Sequence, residues 1–192
     1  MHTGVAIDLP APRVEPELGR RRHRRITGPA GAILFACMFL PAVKGCSAPV
    51  YPIEAPIFLP PYLFGLAFML AAWAWTVRGL VRAMRLARAV TFASIACATV
   101  TLLLAPSIGL VELGGSALVL AALGWSGTSE WRFAVAAATV GACGTLWFGL
   151  WASSAEALIG VYLAAAGSAA LLAGACTWLV DLSLQRRTFR RL

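Results

Sequence analysis

Few residues of this 192-residue chain could do chemistry: five cysteines, two histidines and eight carboxylates. Cys46 stands out in the stretch KGCSAPVYPIEAP, residues 44–56, where it follows the only lysine, Lys44, by two positions among prolines 49, 52 and 56. A neighbouring cation favours the nucleophilic thiolate, and an unpaired thiol is also a partner for a disulfide with another chain. Covalent catalysis needs a base as well. The two histidines, His2 and His23, both lie within the first 25 residues. Cys37, Cys97, Cys143 and Cys176 are scattered through apolar runs, where cysteine behaves as a small hydrophobe. Haem ligation would want histidines on facing helices, and zinc would want clustered His, Cys or carboxylate ligands. The sequence contains neither pattern, so it predicts no catalytic residues, no cofactor and no metal.

Composition says what must position these residues. Hydrophobic residues make up 60% of the chain and charged residues 12%, which excludes an ordinary soluble domain and predicts an all-α, multi-pass membrane helix bundle. Residues 1–25, ending in RRRHRR, carry three prolines and no periodicity and read as a disordered basic tail. Apolar runs follow at about 26–43, 57–77, 89–104, 108–124, 132–151 and 157–180, then a basic tail at 183–192. At about 1.5 Å per residue, such runs suit a hydrocarbon core roughly 30 Å thick. Pro29 is expected in the first turn of the first span, where a missing N–H does no harm. The run 108–124 is the weakest of the six: it holds Glu112, and it crosses only if that carboxylate reaches the outer headgroups.

Arginine placement sets the orientation. Six crossings with an interior N-terminus leave all fifteen arginines on one side and only Lys44 on the other, as expected when positive charge stays cytoplasmic. Arg78, Arg82, Arg85 and Arg88, spaced by 4, 3 and 3, share one side of a helix and are expected to touch lipid headgroups. No aromatic interleaving accompanies the charge, so no nucleic-acid partner is expected. Trp73, Trp75, Trp125, Trp131 and Trp178 would lie toward the inner interface, Trp147 and Trp151 toward the outer. Arginine-rich, alanine-rich composition suggests a bacterial source, and with it the inner membrane.

Two short stretches resemble known signals. A basic block, an apolar run and VKGCS resemble a bacterial lipoprotein signal, in which lipid is added to the cysteine, but Lys44 stands where a small uncharged residue is normal. Gly124-Trp125-Ser126-Gly127 resembles the G-x-S-G element of rhomboid proteases, which also requires a later histidine that this chain lacks, so it reads as a turn.

Small residues recur every fourth position in the last two spans, at Ala137, Gly141, Thr145 and Gly149 and at Gly160, Ala164 and Ser168, and predict close packing of the two helices or a homo-oligomer contact. Together these features predict a non-enzymatic inner-membrane component whose external loop 44–56 meets a protein partner through Lys44, Cys46, Tyr51 and Glu54. The alternative is a small permease-like protein for an apolar or lipid-like solute, with Ser94, Thr99 and Thr101 along its path.

Overall fold

The computed structural model describes residues 20–46, 48–74, 80–124 and 130–189. Within them the protein is all-α, built from α1 (Arg20–Ala36), α2 (Leu59–Ala74), α3 (Leu80–Leu104), α4 (Pro106–Leu123), α5 (Glu130–Ala152) and α6 (Ile159–Phe189). Stretches of α3 to α6 are long and apolar enough to cross a membrane: Arg82–Leu104, Pro106–Leu123, Trp131–Ala152 and Ile159–Leu184. Apolar sequence coincides with helix because only a helix satisfies every backbone N–H and C=O within its own segment when no water is present. The apolar parts of α1 and α2, Ile26–Phe39 and Leu59–Trp73, are shorter.

Several boundaries differ from the sequence expectation, each for a local reason. The first helix begins at Arg20, inside the expected disordered tail, because arginine propagates a helix well. Pro29 therefore falls inside α1 rather than in its first turn, and the carbonyl of Arg25 loses its usual intrahelical donor. Regular helix ends at Ala36, short of 43, and tightens into a 3-10 turn over Cys37–Phe39. Leu40 is then extended (φ −100°, ψ 150°), the conformation imposed on a residue before proline, here Pro41. The arginine-bearing connection and the third span form one continuous helix, α3. Ala105 alone separates α3 from α4, with Pro106 opening the next helix. The weak fourth span is one unbroken helix of 18 residues through Gly114 and Gly115, closed by Gly124 at φ 66°. The last helix runs to Phe189, into the expected tail.

Packing follows chain order from α1 through α4, and α6 returns to pack on α1 with α5 on its other side. The ring is nearly complete, but α4 and α5 touch only sparsely. At one end the bundle is closed by Phe68, Phe133 and Trp178, with ring centroids 5.2 Å apart in both pairs. Trp178 is fully buried there. Trp75 and Trp125 lie outside the described residues.

A short hairpin caps the other end. Strands β1 (Val43–Lys44) and β2 (Pro49–Val50) pair antiparallel, Val43 opposite Val50. Three backbone bonds tie the approach to this hairpin to the α5–α6 connection: Lys44 N–H to Glu156 O (2.8 Å), Leu158 N–H to Ala42 O (2.9 Å) and Gly160 N–H to Pro41 O (3.0 Å).

Candidate functional site

Close approach of two helix pairs creates a gap between them. An ideal Cβ at Gly109 would collide with the backbone of Leu102, so α4 is drawn tightly onto α3. At Gly141 it would lie 2.7 Å from the Leu172 amide, and at Gly144 2.7 Å from the Ser168 hydroxyl, so α5 is drawn onto α6. With each helix held by its own neighbour, α4 and α5 stand apart in the hairpin half of the bundle and leave a cavity of about 650 Å³. That volume is within the 300–1,000 Å³ common for small-molecule sites.

Its walls are mainly apolar. Val111 and Gly114 on α4 and Cys143 and Trp147 on α5 form its rim, and all four are exposed, so the cavity opens on the outer surface of the bundle. Its lining reaches no farther from the hairpin than Leu118, Thr139 and Ser168, and the aromatic cluster at Phe133 lies beyond them.

Two buried polar side chains line it without a full set of partners. Glu112 is 7% exposed and its Oε2 has no hydrogen-bond partner among the described residues. Ser168 is 1% exposed and its Oγ likewise has none. By helix rise, Glu112 lies about 9 Å from the start of α4 and Ser168 about 14 Å from the start of α6. Glu112 thus faces the interior of the bundle. The reason is periodicity: Gly109, Glu112, Ser116 and Val119 are the buried face of α4, and a side chain on that face points into the bundle. Around Glu112 the interface with α3 is polar. Ser116 Oγ donates to the Glu112 carbonyl at 2.8 Å, so its 3.0 Å contact with Ser94 Oγ takes the Ser94 proton, and Thr101 is a polar neighbour of the carboxyl. No lysine, arginine or histidine is among the cavity-lining residues.

The residues anticipated from sequence are dispersed. Ser94 and Thr101 are buried between α3 and α4, while Thr99 is exposed and donates to Ile95 O at 2.8 Å. None of the three lines the cavity. Positions 94 and 101 are two helical turns apart on one face, and 99 projects from another. Arg78 lies outside the described residues; Arg82 and Arg85 are exposed, and Arg88 turns inward to donate to Leu123 O at 3.2 Å. A guanidinium there meets the negative end of α4.

Of the small-residue strips, Ala137 and Gly141 are buried, Thr145 donates to Gly141 O at 2.7 Å, and nothing lies within 4 Å of a Cβ built at Gly149. Ala164 is buried, and Ser168 meets α5 at Gly144. Gly160 instead meets the Pro41 carbonyl, 2.7 Å from its ideal Cβ. On the loop, Lys44, Cys46 and Glu54 are exposed and Tyr51 is half-buried, its N–H facing the Glu54 carboxylate at 3.4 Å. Ser126 and Gly127 of the GWSG stretch lie outside the described residues.

Composition alone missed the cavity. Its sequence signal was Glu112 among Ile108, Val111, Gly115 and Leu118, positions that share one side only once α4 is known to be one continuous helix. No family model, no curated protein and no solved structure matches this chain.

Proposed function

We propose that this is a non-enzymatic, six-crossing protein of a bacterial inner membrane with both ends cytoplasmic, and that it holds a lipid-like amphiphile in the cavity between α4 and α5. The single observation behind this reading is a cavity of about 650 Å³ with mainly apolar walls, opening between helices apolar enough to face lipid. Arginine placement supports the orientation, putting the hairpin end outside. Because the lining stops at Ser168 and Leu118, the cavity suits retention of an amphiphile better than its passage across the bilayer. The test is photolabelling of the reconstituted protein with a dodecyl-diazirine alcohol. Label concentrated in peptides 107–118 and 139–148 is the expected result, and label spread evenly over every lipid-facing helix overturns the reading.

A second reading, an assembly component acting through the external loop, is favoured by the pinning of that loop to the α5–α6 connection with Lys44, Cys46 and Glu54 left exposed. It predicts a specific crosslinked product from Cys46 that disappears when Lys44 and Glu54 are changed together. A Cys46 that crosslinks to nothing in intact cells overturns it.

A further inference from the structure

We infer that the α4–α5 cavity selects amphiphiles with a cationic amine head, and this rests on the cavity being an amphiphile site. A buried carboxylate without a counter-charge is costly in a low-dielectric setting, so its partner must be a proton or a cation. Glu112 is the one acid among the lining residues, and no basic residue lines the same space. An anionic head would meet repulsion with nothing to offset it. Phe64, Trp147 and Phe148 line the cavity together with Glu112, and aromatic rings attract ammonium groups over their faces when water is excluded. The alkyl chain lies along the apolar opening between α4 and α5. A single-chain amphiphile and an amine-headed phospholipid both present an ammonium group to the same carboxylate.

Equilibrium binding of dodecylammonium, dodecanol and laurate to the full chain in a neutral detergent tests this, with wild type, Glu112→Gln and Gly114→Leu side by side. Gly114 lines the cavity at its exposed rim, and a Cβ there meets nothing within 4 Å, so leucine projects from the rim without a clash at its Cβ. Expected is saturable binding of dodecylammonium by wild type, at least tenfold tighter than laurate, weakened at least tenfold in Glu112→Gln and abolished in Gly114→Leu. Dodecanol binds wild type and Glu112→Gln alike and is lost in Gly114→Leu. Equal affinity of wild type and Glu112→Gln for dodecylammonium overturns the charge selection while leaving the amphiphile site standing. Failure of Gly114→Leu to affect any probe overturns the site itself. Competition by dilauroyl phosphatidylethanolamine supports the phospholipid source, and its absence alongside amine binding supports the single-chain source.

Discussion

At the scale of single residues, the glycines of α5 separate contact from open space. Gly141→Ala drives a methyl group against the Leu172 backbone, whereas Gly149→Ala places one where nothing lies within 4 Å. Overpacking of this kind costs about 1–3 kcal/mol, while relief of glycine's backbone freedom in an open helical position gains roughly 0.5–1 kcal/mol. Thermal unfolding in detergent should therefore show Gly141→Ala clearly destabilised and Gly149→Ala unchanged or slightly stabilised. Equal effects would mean that α5 and α6 do not approach at Gly141. The arginines of α3 separate in the same way. Arg88→Ala removes the donor to Leu123 O and should cost up to about 2 kcal/mol, the upper range for a charge at a partly buried helix terminus. Arg82→Ala and Arg85→Ala, at exposed positions, should change stability by under about 0.5 kcal/mol. Spacing alone put the four arginines on one side of a helix. That Arg88 reaches a neighbouring carbonyl while the exposed pair does not depends on where α4 ends, and no local pattern in α3 encodes that.

At the scale of elements, the hairpin and the α5–α6 connection act as one cap. Val43 forms an isolated antiparallel bridge with Ala157, which brings their backbones as close as neighbouring strands. Opposed residues in such a pair have Cα atoms about 4.5–5.5 Å apart, within reach of a disulfide. In a Cys46→Ser background, the double variant Val43→Cys with Ala157→Cys should oxidise to an intramolecular bridge, visible as a mobility shift between reduced and non-reduced gels. No bridge formation would dissociate the loop from the last two helices. The prolines of this loop were evident in the sequence, and they account for its lack of helix. Its attachment was not, because backbone hydrogen bonds between segments more than a hundred residues apart depend on how α1 and α6 pack rather than on side-chain identity.

At the scale of the whole molecule, orientation is the property with the widest consequences. A membrane-impermeant thiol reagent on intact cells should label Cys46 in a variant retaining only that cysteine, and should fail to label a variant retaining only the buried Cys37. A cytoplasm-dependent reporter fused behind Leu192 should be active; activity of a periplasm-dependent reporter instead would reverse the placement of the second half of the chain. The loose α4–α5 junction is also a property of the whole ring. Each helix is fastened to a different neighbour, so the space between them belongs to neither.

The sequence by itself determined the helical class, the apolar runs and the clustering of the arginines outside those runs, because hydropathy and charge act on each segment independently of the others. It also showed glycines and serines at helical spacing without showing which of them meet another helix. Tertiary structure alone decided that Glu112 faces the bundle interior, that Ser94 and Thr101 are occupied between α3 and α4, and that a cavity remains where α4 and α5 part. Each of these depends on distances between helices far apart in the chain, set by how closely their backbones approach, and a one-dimensional pattern does not contain them.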